Sequence, residues 1–255
     1  MPDDDLPMLE GVQYRASVGS TMDEVRQQAL AGAPEFSILL AETQTAGRGR
    51  RNKLWHSAPA SGLYFTILLR PQVALSKLGL LPLLVGAAMA RSIKENTGIE
   101  TQLKWSNDLL TLDGRKLCGI LLETRIEAGA AAFVLLGIGI NVRCQEFPPE
   151  LNAAALEEFA PVNRKNLLKT CIANLKIAYQ KFLETPEFAL QSWKSHANNL
   201  GREVTILEPN GNSWIGLALD LDPSGALLVQ TTSGIKPVYA AEISLRNSIL
   251  GKSTP

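Results

Sequence analysis

Three apolar segments between residues 101 and 140 follow one another with only turns between them. They cover residues 101–105, 116–124 and 132–140, and each is rich in the apolar and β-branched residues typical of strands. Connections this short favour antiparallel pairing, because a parallel connection needs a long crossover. A helix is predicted over residues 80–95, where apolar residues recur at helical spacing. The pattern therefore predicts an α+β fold in which helices flank a mixed, mostly antiparallel sheet.

The N-terminal half supplies a further helix before this sheet. Residues 21–32 are predicted to be helical, since Thr21 and Glu24 match a capping box and Gly32 suits a left-handed cap. Other predicted elements are strands over residues 36–41 and 63–69 and a helix over residues 166–183 that ends before Pro186. These elements extend the same sheet and cover it.

The character of the chain changes after Gly201. Short predicted strands follow at residues 203–207, 213–220, 226–230 and 235–239. Glycine-containing turns separate them, as in hairpins of small all-β domains. We expect a small β-barrel of about 50 residues here. The predicted domains are residues 1–200 and residues 201–255.

Composition narrows the class of protein. The chain has 255 residues, of which 45% are hydrophobic, so a sizeable core is available. Its 25 Lys and Arg residues balance 25 Asp and Glu residues, so no overall field attracts DNA or a membrane. Three cysteines lack metal or disulfide spacing, which fits a reducing cytoplasm. The sequence predicts a cytoplasmic protein without a signal peptide or membrane span.

The first twelve residues carry an acidic run and no apolar periodicity. Such segments bury too little apolar surface to order themselves. We expect them to form a loose tail that can be deleted.

One short loop concentrates positive charge. Residues 47–55 contain two glycines, the cations Arg48, Arg50, Arg51 and Lys53, and Trp55. Glycine lets backbone amides turn toward an anion, and guanidinium groups pair with phosphate in a bidentate way. The indole adds a flat face for a nucleobase. A solvated surface or a nucleic-acid patch is the alternative that composition alone leaves open.

Polar residues also gather where predicted strands end and begin. Lys104, Asn107 and Asp108 close one strand candidate, Lys116 opens the next, and a hairpin between the strands would bring them together. Cations and a carboxylate near a phosphate-binding loop suit phosphoryl or nucleotidyl chemistry. A turn and a solvated lysine are the commoner roles of such residues.

A third feature is the alternation of glycines in residues 137–141. Gly137 and Gly139 clear one face of a strand for a ligand or another backbone, and Asn141 follows them. A packing bulge is the alternative. No nucleophilic triad, zinc site or Walker-type loop is present in the sequence.

Taken in order, five motifs resemble the biotin-protein ligase family. They lie at residues 20–24, 44–51, 104–108, 116–123 and 137–141, and a sixth family-like stretch lies at residues 242–246. The resemblance spans residues 20–142 and reappears in the C-terminal domain. It implies a class II synthetase-like catalytic fold followed by an SH3-like β-barrel.

The resemblance implies a ligase that works in two steps. Biotin and MgATP give biotinyl-5′-AMP, and the biotinyl group then passes to one lysine of a biotin carboxyl carrier protein. ATP and Mg²⁺ are co-substrates, and no tightly bound prosthetic group is implied. The carrier domain of a carboxylase is the implied partner, while DNA and membranes are not. Whether the protein forms a homodimer stays open.

Roles for individual residues follow from the same resemblance. Lys116, Arg48 and Arg50 are the implied catalytic residues. Biotin-binding roles fall on Ser20, Thr21, Met22, Gln44, Gly49 and Gly119, together with the three catalytic residues. Nucleotide-binding roles fall on Arg51, Lys53, Trp55, Lys104, Asn107 and Asn141, and Asp108 is the implied magnesium ligand.

Some positions depart from the family pattern. Asn52 and Lys53 stand where glycine and arginine are usual, and Ser106 replaces a proline. Only about twenty residues precede Ser20, too few for the DNA-binding domain of some members. The resemblance therefore implies the short form of the enzyme.

Two alternatives belong to other classes of function. Lipoate ligases and octanoyl transferases share the catalytic fold, but the cations of residues 47–55 favour an enzyme that retains an adenylate. A non-catalytic nucleic-acid-binding module would use the same cations. The balanced charge and the scarcity of basic residues interleaved with aromatic ones argue against that module.

Overall fold

The fold contains a large α+β part followed by a small sheet. The computed structural model describes residue 6 and residues 9–208, 211–239 and 242–245. The helices are α1 Thr21–Leu30, α2 Leu81–Thr97, α3 Arg164–Glu184 and α4 Phe188–Lys194. The strands are β1 Val12–Val18, β2 Ile38–Gln44, β3 Gly62–Leu69, β4 Gln102–Lys104, β5 Asp108–Leu110, β6 Lys116–Glu127, β7 Ala130–Asn141, β8 Glu203–Leu207, β9 Ser213–Leu221, β10 Leu227–Thr231, β11 Gly234–Val238 and β12 Glu242–Leu245.

The large sheet has the strand order β1-β2-β3-β7-β6-β5-β4. The β1–β2 pair is parallel, and each of the other neighbouring pairs in the described sheet is antiparallel. The long β6–β7 hairpin forms its centre, with a register that runs from Cys118 opposite Ile140 to Glu127 opposite Ala130. The prediction of a mixed, mostly antiparallel sheet is confirmed.

Helices cover both faces of this sheet. Met22, Val25 and Ala29 of α1 pack on one face, against side chains that include Leu39 and Leu135. Helix α2 packs on the opposite face, with α3 and α4 outside it. Alternate residues of a strand point to opposite faces, so strands buried on both sides read as apolar runs. This explains why β3 is buried along its whole length.

Helix α2 is a core helix. Within the described residues, Leu75–Thr97 is the segment long and apolar enough to cross a membrane. Eleven of the residues of α2 are buried between the sheet and α3, including Leu84 and Met89. Gly98 follows at φ 72°, in the left-handed conformation that ends helices. The apolar character of this helix therefore comes from packing on two sides.

Residues beyond Gly201 form a five-stranded antiparallel sheet with the order β11-β10-β9-β8-β12. The four strands predicted from residues 203–239 are present, and each observed end lies within one residue of the predicted one. Its buried face includes Val204, Ile206 and Val229, whose side chains join the main core. The family-like stretch 242–246 supplies β12, although Arg246 lies outside the described residues.

Some elements differ from the predictions. The sequence analysis missed β1, β5 and α4, because β1 is a largely exposed edge strand and the other two are short. Thr21 does not form a capping box. Ser20 is the N-cap residue of α1, and the Thr21 hydroxyl instead binds Gln44 and Thr66.

The expectation of a loose N-terminal tail is wrong for two of its residues. Leu6 is 1% exposed and Leu9 is 9% exposed, and both belong to the main core. The backbone N–H of Leu9 donates to the carbonyl of Leu6, 3.3 Å away. Burial of single leucines outweighs the polar character of their neighbours.

We predict that Leu6→Ala lowers the free energy of unfolding by about 2–5 kcal/mol, the usual result of emptying a buried leucine site. Urea denaturation followed by circular dichroism measures it. The control is Leu30→Ala, because Leu30 is 51% exposed and its loss should change stability by less than about 0.5 kcal/mol. Equal, small effects of both changes would show that residue 6 does not contribute to the core.

Candidate active site

A cleft of about 350 Å³ opens at the end of the β6–β7 hairpin where β6 begins and β7 ends. Every candidate residue from the sequence lines it. These are Ser20, Thr21, Met22, Gln44, Arg48, Gly49, Arg50, Arg51, Lys53, Trp55, Lys104, Asn107, Asp108, Lys116, Gly119 and Asn141. The fold thus gathers five separate segments of chain around one cavity. We refer to residues 47–55, which cross its opening, as the lid loop.

Glycines form the floor of the cleft. Gly119 of β6 and Gly139 of β7 are directly paired across the hairpin. The Trp55 ring packs closely on both, since a Cβ at Gly139 would fall 2.4 Å from the indole and one at Gly119 would fall 2.6 Å from it. Gly137 similarly adjoins the sulfur of Met22. The alternating glycines therefore serve close approach, as their spacing predicts.

The lid loop is a tight hairpin rather than an irregular loop. The N–H of Gly49 donates to the carbonyl of Lys53 at 2.7 Å, and the N–H of Trp55 donates to that of Gly47 at 2.9 Å. Arg51 at its tip has φ 54°, a left-handed conformation uncommon for a residue with a side chain. A Cβ at Gly47 would fall 2.8 Å from the Trp55 carbonyl oxygen. Glycine at position 47 thus permits the close crossing that places Trp55 over the floor.

The arginines of the lid loop are held from three sides. The Arg48 guanidinium pairs with Asp23 at 2.8 Å and with Glu123 at 3.4 Å. Arg50 Nη1 donates to Ser106 Oγ at 3.0 Å and to Asn107 Oδ1 at 2.6 Å. Arg51 Nη2 donates to the carbonyl of Leu207 in the C-terminal sheet, 2.9 Å away. These contacts hold the loop over the cleft, and all four of its cations line the cavity.

Lys116 lies at the centre of the cleft. Its Nζ is 2.8 Å from a carboxylate oxygen of Asp108 and 5.3 Å from the centre of the Trp55 ring. The backbone of Lys116 is fixed by hydrogen bonds with Asn152 and Ala154. The Asn141 amide group also donates to the carbonyls of Lys116 and Ala154. A cation fixed in this way is preorganised for an anionic group.

A polar pocket occupies the other end of the cleft. The Gln44 carbonyl oxygen accepts from both the backbone N–H and the hydroxyl of Thr21, at 2.9 and 3.1 Å. The Gln44 amide donates to Ser57 Oγ at 3.1 Å. Ser20 Oγ is buried, and no described residue hydrogen-bonds it. Since a buried hydroxyl normally has a partner, this oxygen is suited to a ligand.

The sequence analysis missed one wall of the cleft. It is lined by Phe147, Glu150, Leu151, Asn152 and Ala153. This segment is held by a parallel β-bridge between Lys116 and Ala153. This tertiary contact sets the position of the segment. Apart from two prolines, its composition predicts neither a regular element nor a binding site. His56 and Leu110 are further lining residues that lie outside the motifs, whereas Ile243 belongs to the family-like stretch 242–246.

Neither thiol chemistry nor a preformed metal site fits the cleft. Cys118 adjoins Gly119 in sequence but is buried on the core face of β6, where burial raises the pKa of its thiol. The thiolate needed for nucleophilic attack is therefore disfavoured. No cluster of three or more metal-ligating side chains occurs among the described residues. Asp108 is a single carboxylate, which suits a magnesium ion that arrives bound to a nucleotide.

Comparison with known proteins gives consistent matches. Residues 15–141 match the biotin/lipoate A/B protein ligase family, and residues 200–246 match the biotin protein ligase C-terminal domain. The chain is 36% identical to the bifunctional ligase/repressor BirA of Bacillus subtilis over 91% of this chain and 73% of the relative. It is 28% identical to the biotin–[acetyl-CoA-carboxylase] ligase of Mycobacterium tuberculosis, over 89% and 86% of the two chains. The biotin protein ligase of Aquifex aeolicus in complex with biotin and ATP superposes with a TM-score of 0.79, at 30% identity, over 94% of this chain and all of the other.

We predict that Gly139→Ala displaces the Trp55 ring, because the added methyl group would overlap it. The measurement is the shift of the Trp55 indole N–H resonance, assigned with Trp55→Phe. Gly19→Ala is the matched control, since nothing lies within 4 Å of a Cβ at that position. An unchanged indole resonance in Gly139→Ala would contradict the close packing of the ring on the floor.

Proposed function

Because this chain belongs to the biotin protein ligase family, we propose how its cleft ligates biotin to a carrier protein. The observation that carries the proposal is the convergence of the glycine floor, Lys116 and the arginines of the lid loop in one cleft. An acyl adenylate needs an apolar surface for its chain, cations for its phosphate and exclusion of water. The cleft supplies all three. The reaction joins the biotin carboxylate to AMP, releases pyrophosphate, and then transfers the biotinyl group to an amine.

We place the head group of biotin in the polar pocket. The ureido ring has N–H donors and a carbonyl acceptor, and it meets Ser20, Thr21 and Gln44 there. The buried and unpartnered Ser20 Oγ supports this placement. Met22 packs against the floor beside the pocket and would border the fused ring system. The valeryl chain would then run over Gly119 toward Lys116.

Lys116 acts on the other end of biotin in this proposal. Its ammonium group would neutralise the carboxylate during attack on the α-phosphate and then hold the acyl phosphate. Arg48 and Arg50, with the adjoining Gly49 backbone, would share the negative charge that develops on the phosphate oxygens. Forming the new carboxyl–phosphate bond breaks the bond to pyrophosphate, which leaves with its electron pair. Fixed cations lower the barrier because they need no reorganisation at the moment of reaction.

The nucleotide side of the cleft has its own set of residues. We assign Arg51, Lys53, Lys104 and Asn107 to the phosphates and Trp55 to the adenine. Asn141 contributes by holding the backbone of Lys116. Asp108 would bind magnesium that enters with ATP, exchanging its contact with Lys116 for the metal. The magnesium ion would reduce the charge of the triphosphate and so ease departure of pyrophosphate.

The second step needs an amine and an adenylate that the lid loop has retained. The lysine ε-amine of a biotin carboxyl carrier domain would attack the acyl carbon, and AMP would leave with the bonding electrons. The lid loop excludes water until the carrier enters. The buried Cys118 thiol takes no part as an acyl carrier. We propose the cytoplasm as the location, because the reaction consumes ATP and the cytoplasm supplies it.

Lipoate ligation and octanoyl transfer are the competing activities of this fold. The experiment that separates them is incubation of the purified protein with ATP, Mg²⁺ and either biotin or lipoate. Pyrophosphate release with biotin alone supports the proposal. Release with lipoate alone would refute it.

We predict that Lys116→Ala reduces biotin-dependent pyrophosphate release by at least a hundredfold. Loss of one preorganised cation from a developing negative charge commonly has an effect of roughly this size. The side chain lies in the cleft rather than in the core, so the fold should persist. Pyrophosphate release is the measurement.

The control for this change is Lys94→Ala, whose ammonium group pairs with Glu100 on the surface. It should leave turnover unchanged. A Lys116→Ala protein that is folded by circular dichroism and retains near-normal turnover would show that another group bears the charge.

We predict that Arg50→Gly makes the enzyme release its adenylate. The change removes charge-assisted hydrogen bonds worth roughly 1.5–3 kcal/mol and adds backbone freedom to a loop that already contains two glycines. Escaped biotinyl-AMP would acylate lysines of bystander proteins. The measurement is biotin on added serum albumin, at matched rates of adenylate formation.

Arg50→Ala separates the two causes, because it removes the contacts with Ser106 and Asn107 without adding glycine freedom. We expect it to label albumin more than wild type and less than Arg50→Gly. Negligible labelling by all three proteins would mean that Arg50 does not retain the adenylate.

A further inference from the structure

A hydroxyl group at the edge of the cleft contacts the lid loop directly. Ser106 Oγ accepts a hydrogen bond from Arg50 Nη1 at 3.0 Å and lies 3.2 Å from Asn107 Oδ1. Asn107 Oδ1 accepts from the same Arg50 nitrogen at 2.6 Å. We infer that Ser106 is a positioning residue that holds Arg50 and so keeps the lid loop closed. Its effect on the ligation reaction rests on the function proposed above.

The chemistry of the three groups explains why a hydroxyl suits this place. Arg50 Nη1 carries two N–H bonds, so one can point to Ser106 and the other to Asn107. A hydroxyl accepts and donates at once, and its proton can therefore go to Asn107 Oδ1. The three groups form a closed triangle. With alanine at position 106, Asn107 Oδ1 would be the one of these two acceptors that Arg50 Nη1 retains.

Ser106 belongs to a rigid segment, while Arg50 belongs to the lid loop. The backbone N–H of Trp105 donates to Asn199 Oδ1 at 3.0 Å, and its indole N–H donates to the Gly225 carbonyl at 2.9 Å. On the other side, the Asn107 amide donates to the Ile120 carbonyl at 3.0 Å, and the N–H of Ile120 donates to the Asn107 carbonyl at 2.9 Å. The C-terminal sheet and β6 thus fix the segment from both ends. When the lid loop opens, the hydrogen bond from Arg50 to Ser106 must therefore break.

The same segment connects the lid loop to the catalytic cation. The Asn107 amide lies 3.3 Å from a carboxylate oxygen of Asp108, which pairs with Lys116 at 2.8 Å. A chain of contacts therefore runs from Arg50 through Asn107 and Asp108 to Lys116. We expect the Ser106 hydroxyl to govern how long the lid stays closed rather than how fast the adenylate forms. That difference distinguishes positioning of the lid from a general effect on the fold.

The first experiment measures opening of the lid loop in the protein without any substrate. The loop offers trypsin exposed sites at Arg51 and Lys53. We expect Ser106→Ala to raise the initial rate of cleavage within the loop roughly three- to tenfold, as loss of one hydrogen bond would. Ser106→Thr keeps the hydroxyl and should be cleaved at the wild-type rate. Cleavage at sites outside the loop, followed by mass spectrometry, corrects for any change in global stability.

A double-mutant cycle tests whether Ser106 acts through Arg50. In an Arg50→Ala background, Ser106→Ala should add no further increase, because the hydroxyl has already lost its partner in the lid loop. The inference is overturned if Ser106→Ala leaves loop cleavage unchanged in the wild-type background. It is also overturned if the acceleration persists in the Arg50→Ala background.

A second arm uses biotin, ATP and Mg²⁺. Ser106→Ala should increase the share of biotinyl-AMP released into solution several-fold and alter its rate of formation by less than twofold, and Ser106→Thr should behave as wild type. Equal retention of the adenylate by wild type and Ser106→Ala would overturn the effect on the reaction. A wild-type protein that forms no adenylate refutes the proposed function instead, and the trypsin experiment then decides the inference independently.

Discussion

The fold of the active site depends on the pairing register of one hairpin, β6–β7. Gly119 faces Gly139 on the side of the cleft, whereas the neighbouring pair, Ile120 and Ile138, faces the core beneath α2. A slip of one residue in either strand would exchange these two sides. Branched side chains would then fill the cleft, and the core would lose their contacts. The requirement for an apolar core and the requirement for a bare floor thus select the same register.

The ion pairs around the cleft are weak, because they are partly exposed to water. Arg48 pairs with Asp23 and Glu123, and the side chains of these three residues are about one third to one half exposed. Ion pairs of this kind contribute about 0.2–1 kcal/mol each. A phosphate held bidentately in a closed cleft is a stronger partner. In the reaction proposed above, Arg48 would therefore exchange its carboxylate partners for the phosphate of a nucleotide at little cost in free energy.

Sequence alone predicted those parts of the site that local patterns determine. The lid loop, the alternating glycines and Lys116 all stand at the ends of recognisable strands, and the hairpin brings them together. The wall at residues 147–153 could not be predicted, because a bridge from Lys116 to Ala153 places it and its composition shows no periodicity. The burial of Leu6 was missed for a similar reason. One apolar side chain in an acidic stretch gives no pattern, although tertiary packing makes it part of the core.

The described part of the C-terminal sheet fixes the surroundings of the site through contacts with Trp105 and Arg51. The Trp105 indole N–H donates to the Gly225 carbonyl. A Cβ at Gly79, just before α2, would fall 2.9 Å from the Ser224 carbonyl oxygen. A turn of this sheet therefore packs against the segment that precedes α2 and against the residue that follows β4. Arg51 reaches the same sheet at Leu207 from the lid loop. Closure of the lid therefore bridges both parts of the chain. A change in the position of the C-terminal sheet would move the partners of Arg50 and Arg51 together. In the reaction proposed above, this would couple the sheet to retention of the adenylate.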